Sequence, residues 1–138
     1  MCRILRIGSF NMPNWKLLVV EDEPDGQMVI SGILEYFNIQ TEAVGSAEEA
    51  LSLLQRNHYD GAVIDLALPD MDGFGLIHAI RDNTAWSSLP CVAITAYHTS
   101  VVKHQAIDAG FDAYFAKPID DTTFVRELTR ILGEAHPG

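Results

Sequence analysis

Four short apolar segments of this chain each end at a polar residue that is suited to contact a phosphate or a divalent metal. The apolar segments, each with the polar residue that follows it, are residues 17–20 before Glu21 and Asp22, residues 62–64 before Asp65, residues 91–94 before Thr95, and residues 113–116 before Lys117. Short apolar runs of this kind are typical of buried parallel strands. Ligands of such sheets bind just beyond the carboxyl ends of the strands. The pattern therefore predicts three acids, a hydroxyl and an amine at one edge of one sheet.

Strand and helix patterns alternate five times along the chain. The strand patterns cover residues 16–20, 39–44, 61–64, 91–94 and 112–116. The second alternates rather than being continuously apolar, which favours a place at the edge of the sheet. Alternating strands and helices predict an α/β fold with a parallel sheet. The crossovers between parallel strands are almost always right-handed. We expect a doubly wound, five-stranded parallel sheet with helices on both faces.

Helix signals separate these strands. Ser46 and Glu49 form a Ser-x-x-Glu capping box, and Gly110 is a typical C-terminal cap for a helix over residues 100–109. The first helix is expected over residues 24–37, with Pro24 in its first turn. Its predicted inward face consists of Val29, Ile30, Ile33, Leu34 and Phe37.

The overall composition excludes several classes of protein. The net charge is −10 and only nine Lys and Arg residues are scattered over 138 positions. Nucleic-acid binding needs clustered basic residues, so direct binding to nucleic acid is not expected. No apolar run approaches the length of a membrane span, so we expect no membrane insertion. Cys2 and Cys91 are interpreted as free thiols of a cytoplasmic protein.

The length fits one domain, which we place at residues 15–133. Residues 1–14 show no clear period and are interpreted as a leader, either disordered or non-native, since Met12 is a plausible alternative start. Residues 134–138 are interpreted as a tail.

The carboxylates at the predicted edge favour a metal site. Adjacent acids such as Glu21 and Asp22 repel one another unless a cation or a proton intervenes. Mg²⁺ prefers oxygen ligands and is commonly held by one or two carboxylates. Taken alone, Asp65 could equally be a turn or cap residue, and Glu23 is interpreted as a solvated first-turn acid.

Lys117 is a candidate ligand for a phosphate or for the neighbouring acids. An ammonium group is a good point charge for phosphate oxygens, whereas the alternative interpretation is a solvated surface lysine. The Lys117–Pro118 bond is a candidate cis peptide, since X-Pro bonds are the usual place for one. Thr95 offers a hydroxyl donor at a strand end.

Together these segments resemble the receiver domain of bacterial two-component response regulators. The segments are residues 19–23, residues 63–73, Ile94-Thr95-Ala96 and Lys117-Pro118, and the resemblance covers about residues 15–132. It implies a flavodoxin-like sheet with strand order 2-1-3-4-5. It also implies a signalling domain that catalyses only its own phosphorylation and dephosphorylation, rather than an enzyme.

The resemblance implies a role for each acid. Asp65 would accept a phosphoryl group from a histidine kinase or a phosphotransfer protein. Asp22 and Asp65 would hold Mg²⁺ or Mn²⁺ through their carboxylates, Glu21 would contribute through a water molecule, and the backbone carbonyl of Ala67 would be a further ligand. The presence of Glu21 where Asp is more familiar is expected to leave metal binding intact.

The resemblance also implies a switch. Lys117 would bind the phosphoryl group and Thr95 would hydrogen-bond one of its oxygens. Tyr114 matches the switch aromatic that moves as Thr95 shifts, thereby changing the surface that binds an unknown downstream protein. The chain would act as a monomer or as a weak homodimer through the fourth helix, fifth strand and fifth helix.

Three other interpretations remain to be weighed. A phosphatase of the haloacid dehalogenase type needs a second Asp two residues after the acceptor, where this chain has Ala67. A flavodoxin-like cofactor binder needs a phosphate loop after the first strand, where the acids from Glu21 to Asp25 would repel a phosphate. A degenerate receiver that only binds partners is disfavoured because all five site residues are present. The chain is either a single-domain regulator or a piece of a longer protein.

Overall fold

Five strands alternate with five helices in the computed structural model, which describes residues 14–136. In chain order the elements are β1 (Lys16–Val20), α1 (Pro24–Tyr36), β2 (Gln40–Val44), α2 (Ala47–Arg56), β3 (Gly61–Asp65), α3 (Gly73–Asp82), β4 (Cys91–Thr95), α4 (Ser100–Ala109), β5 (Ala113–Ala116) and α5 (Asp121–Ala135). The predicted leader, apart from Asn14, lies outside the described residues, as do Cys2, Met12 and the last two residues of the predicted tail.

The strands form one parallel sheet in the order β2-β1-β3-β4-β5. β1 pairs with both β2 and β3, and Val19 lies opposite Ala43 on one side and Val63 on the other. Both the predicted doubly wound α/β class and the strand order 2-1-3-4-5 are confirmed, as is the edge position of β2.

The two faces of the sheet carry separate apolar layers. Along β1, Leu17 and Val19 pack with α1 and α5, whereas Leu18 and Val20 pack with α2 and α3. This arrangement follows from the alternation of side chains along a strand. Helices on both faces bury every residue of β3 and β4. The carboxyl ends of the strands become the place where polar groups can collect.

Local sequence signals explain several helix ends. The hydroxyl oxygen of Ser46 accepts a hydrogen bond from the backbone N–H of Glu49 at 3.2 Å, which confirms the predicted capping box. Gly110 ends α4 with φ 118°, a left-handed conformation that favours glycine. Ala106 is the one buried residue of α4.

The predicted inward face of α1 was too wide. Ile30 and Leu34 are buried, but Val29 is 55% exposed and Phe37 is 39% exposed. A helix on a parallel sheet presents only one stripe to the strands, and residues on either flank of that stripe remain in contact with solvent. α5 extends to Ala135, two residues beyond the predicted end of the domain. Within residues 14–136, no helix is both long and apolar enough to cross a membrane.

Candidate functional site

Three strand ends bring acidic and basic side chains together at one edge of the sheet. Glu21 directly follows β1, Asp65 is the last residue of β3, and Lys117 directly follows β5. Because the strands are parallel, their carboxyl ends share this edge. The edge position predicted for these residues is therefore observed.

Lys117 links the two buried acids. Its Nζ donates to Oε1 of Glu21 and to Oδ2 of Asp65, each at 2.7 Å. The Glu21 side chain is fully buried, Asp65 is 4% exposed, and the Lys117 side chain is 23% exposed. The following Lys117–Pro118 peptide bond is cis. Burial acts to lower the pKa of Lys117, but its bonds to Asp65 and Glu21 outweigh that effect and hold the pKa above 10.5. The lysine is therefore a charged group at the edge.

The hydrogen bond from Lys117 satisfies only one of the two buried carboxylate oxygens of Glu21. Within residues 14–136, its second oxygen, Oε2, is buried and has no hydrogen-bond partner. Burial, together with the nearby Asp65 carboxylate, raises the pKa of Glu21 to about 7, although Lys117 acts in the opposite direction. A buried oxygen without a partner is costly. It can be satisfied by a proton or by a cation.

Asp65 is held in its charged form. Burial acts to raise its pKa, but the interactions with Glu21, with Lys117 and with the backbone N–H of Ala67 outweigh burial and lower it below 3.8. The Ala67 N–H donates to Oδ1 of Asp65 at 2.8 Å. Both oxygens of Asp65 are therefore engaged, and the group is an ionised carboxylate at neutral pH.

The acids of this edge fit a divalent cation. One carboxylate oxygen from each of Glu21, Asp22 and Asp65 lies within 4.8 Å of the others. Asp22 is exposed, so the cluster opens to solvent on one side. Hard oxygen donors in this number suit Mg²⁺ or Mn²⁺. The unpartnered oxygen of Glu21 supports the same fit.

Thr95 and Tyr114 lie on the neighbouring strands. Thr95 ends β4, is 1% exposed, and its hydroxyl oxygen accepts from the backbone N–H of Tyr97 at 3.0 Å. Tyr114 lies in β5, opposite Ala93 of β4, and is half-buried. Its hydroxyl is hydrogen-bonded to Nδ1 of His98 at 2.9 Å.

A family model provides the decisive comparison. The model for the response regulator receiver domain matches residues 17–129, which include Glu21, Asp22, Asp65, Thr95 and Lys117. The chain belongs to the receiver domain family.

Two known receiver domains and one uncharacterised protein are similar to this chain over most of its length. An uncharacterised 14.6 kDa protein of Leptolyngbya boryana is 37% identical over 110 residues, which are 80% of this chain and 84% of that protein. The receiver domain of a Francisella response regulator has a TM-score of 0.82 at 26% identity, covering 89% of this chain and 100% of its own. The receiver domain of the sensor histidine kinase PA1611 from Pseudomonas aeruginosa has a TM-score of 0.80 at 29% identity, covering 88% of this chain and 99% of its own. That structure holds a magnesium ion in its active site cleft.

The sequence did not indicate two features of this receiver domain. The Gln27 side chain donates to the backbone carbonyl of Glu21 at 2.7 Å, and Gly26 approaches the Glu21 side chain closely. His98 is exposed, and its Nδ1 is hydrogen-bonded to the Tyr114 hydroxyl. A glycine in the first turn of a helix, directly after a run of acids, was the available signal for the first feature.

Proposed function

We propose that this receiver domain accepts a phosphoryl group onto Asp65 from a histidine kinase or a phosphotransfer protein, in a Mg²⁺-dependent reaction. The observation that carries this proposal is the buried contact between the Asp65 carboxylate and the Lys117 ammonium, beside two further acids. A lone surface aspartate would have no such surroundings. The similarity to receiver domains of response regulators and of a histidine kinase supports the same donor class.

The proposed reaction is a transfer between two nucleophiles. A carboxylate oxygen of Asp65 attacks the phosphorus atom of a phosphohistidine, a P–O bond forms, and the P–N bond breaks with its electron pair returning to the imidazole. Catalysis of such a transfer is mainly a matter of placing positive charge near the equatorial oxygens. Lys117, already 2.7 Å from Asp65, can supply one of these charges.

The metal would be held by the carboxylates of Asp22 and Asp65, with Glu21 contributing through water and the backbone carbonyl of Ala67 as a further ligand. When bound, it would neutralise charge on the phosphoryl oxygens. Before the reaction the chain itself holds Asp65 ionised and excludes solvent from Glu21. Mn²⁺ has similar ligand preferences and would serve in place of Mg²⁺.

Phosphorylation would then bias a two-state element. The new oxygens offer acceptors for the Thr95 hydroxyl, which here accepts a hydrogen bond from the Tyr97 backbone. A shift of Thr95 would open space toward which Tyr114 can move, and the loop before α4 would follow. Such a change alters the populations of two surfaces rather than creating a new one. A downstream protein would distinguish the two.

Partner and location follow from the same proposal. The protein would act in the cytoplasm, as a monomer or as a weak homodimer through α4, β5 and α5. It would be a signalling domain that acts only on its own phosphorylation state. The net charge of −10 disfavours direct binding to nucleic acid.

Labelling with a small acyl phosphate and Mg²⁺ tests the proposal. Intact-protein mass spectrometry should show one added phosphoryl group on the wild type and none on Asp65→Asn. Asp70→Asn is the matched control, because Asp70 is an exposed acid with φ 61°, a conformation that Asn readily adopts. Stoichiometric labelling of the Asp65 variant would contradict the assignment. Absence of label on the wild type, also with beryllofluoride and Mg²⁺, would favour a receiver that only binds partners.

A further inference from the structure

We infer that Gly26 is a positioning residue of the metal site, because it provides the space that the Glu21 carboxylate occupies. The inference rests on the proposed function, in which Glu21 belongs to a Mg²⁺ site. It concerns one pair of residues, a glycine in the first turn of α1 and a glutamate directly after β1. According to this inference, the length of the acidic side chain at position 21 and the lack of a side chain at position 26 depend on each other.

The geometry shows how little space is left. A Cβ atom built on Gly26 would lie 2.7 Å from Cδ and 2.9 Å from Cγ of Glu21, and closer still to Oε1. Real Cβ atoms essentially never approach other heavy atoms to within 3.0 Å. An alanine at this position would therefore have to displace the Glu21 carboxylate.

The backbone does not itself require glycine here. Gly110 is the one glycine with positive φ in the part of the chain that the structure describes, so Gly26 has a conformation that alanine can adopt. Alanine is also the better helix former, and glycine lowers the stability of a helix relative to it. The glycine is thus unfavourable for α1 alone. The close approach of the Glu21 side chain is the feature that accounts for it.

The displaced group would be the one that the site needs. Glu21 is fully buried, and its Oε1 atom accepts the 2.7 Å bond from Lys117. In addition, the Gln27 side chain holds the Glu21 backbone from the same helix, so the main chain has little freedom to retreat from α1. The side chain would have to leave Lys117 and the neighbouring carboxylates instead. An aspartate at the same position is one methylene shorter and would withdraw the carboxylate from Gly26.

A double-mutant cycle on Mg²⁺ affinity tests the pair. Gly26→Ala should weaken Mg²⁺ binding by about tenfold or more, as is usual when support of a metal ligand is lost. The same change in the Glu21→Asp background should have a much smaller effect. Gly32→Ala is the matched control, because a Cβ at this exposed glycine of the same helix meets no atom within 4 Å. Isothermal titration calorimetry measures all five proteins.

Two ratios of Mg²⁺ dissociation constants decide the outcome. Each compares the protein with and without Gly26→Ala, once in the wild-type background and once in the Glu21→Asp background. The inference holds if Gly26→Ala weakens binding at least about threefold more in the wild-type background than in Glu21→Asp, and it is overturned if the ratios agree more closely. If Gly26→Ala alone does not fold, folding of the double variant supports the inference, and failure of both overturns it.

A second readout requires no metal. The ¹³C resonance of the Glu21 side-chain carboxyl should shift in Gly26→Ala and stay unchanged in Gly32→Ala. Failure of the wild type to bind Mg²⁺ would refute the proposed function, whereas an unshifted Glu21 resonance in Gly26→Ala would refute this inference alone.

Discussion

Replacement of Glu21 by glutamine should change how the stability of the metal-free protein depends on pH. Burial raises the pKa of Glu21 from its ordinary 4.5 to about 7. The folded state therefore binds the Glu21 proton more tightly than the unfolded state, and unfolding free energy falls as pH rises through this window. At about 1.4 kcal/mol per pH unit, the rise in pKa corresponds to about 3 kcal/mol. The glutamine side chain has no carboxyl proton to lose, so the Glu21→Gln variant should lack this slope.

Asp65 and Lys117 titrate outside this window. The lowered pKa of Asp65 stabilises the folded protein above pH 3.8. This contribution is lost only as the pH falls through the still lower pKa that Asp65 has in the folded state. The raised pKa of Lys117 contributes stability that is fully present below pH 10.5 and is lost only at higher pH. The difference between wild type and Glu21→Gln therefore isolates Glu21.

Urea unfolding in the presence of a chelator, between about pH 5 and pH 8, provides the measurement. The wild type should lose between about 2 and 3 kcal/mol relative to Glu21→Gln across this range. Glu48→Gln, which removes an exposed acid from the first turn of α2, is the control and should parallel the wild type. Saturating Mg²⁺ should abolish the wild-type loss, because a metal ligand must be deprotonated. A difference between wild type and Glu21→Gln that stays constant with pH would refute the reasoning.

Three further substitutions test other contacts. Lys117→Ala should slow labelling of Asp65 by about 100-fold in a stopped time course, since it removes a donor aimed at the phosphoryl oxygens; an unchanged rate would contradict this role. His98→Ala should change the ring resonances of Tyr114 in NMR spectra without changing the labelling rate, because it removes the 2.9 Å bond to the tyrosine hydroxyl; unchanged resonances would show that the bond is not formed in solution. Arg81→Ala should lower the unfolding free energy by about 2 kcal/mol in urea titrations, because its guanidinium donates to backbone carbonyls of the loops before β4 and before β5; a loss below about 0.5 kcal/mol would contradict the predicted contribution.

The fold could be predicted because its signals are local and repeated. Buried parallel strands are continuous apolar runs, and their ends are marked by residues such as Asp65 and Lys117. Helix ends carry side-chain caps, as at Ser46, or a left-handed glycine, as at Gly110. The inward face of α1 was harder to predict, because Val29 is apolar yet faces solvent. Apolar character alone does not say how wide the buried stripe of a helix is.

The proximity of the candidate site residues could be predicted from the sequence, but their contacts could not. Parallel strands dictate that Glu21, Asp65 and Lys117 share an edge, so their proximity follows from topology. That Lys117 bonds both acids, and that one Glu21 oxygen is left without a partner among residues 14–136, depends on side-chain packing. The approach of Gly26 has the same origin. No periodicity or spacing in a sequence encodes distances of this kind.

A crystal structure of the protein grown with Mg²⁺ and beryllofluoride tests the central claim most directly. We predict that beryllium is bonded to a carboxylate oxygen of Asp65, that Lys117 contacts a fluorine atom, and that the cation lies among the carboxylates of Glu21, Asp22 and Asp65. Crystals that hold these reagents while Asp65 remains unmodified, or that carry the beryllofluoride on another residue, would contradict the claim.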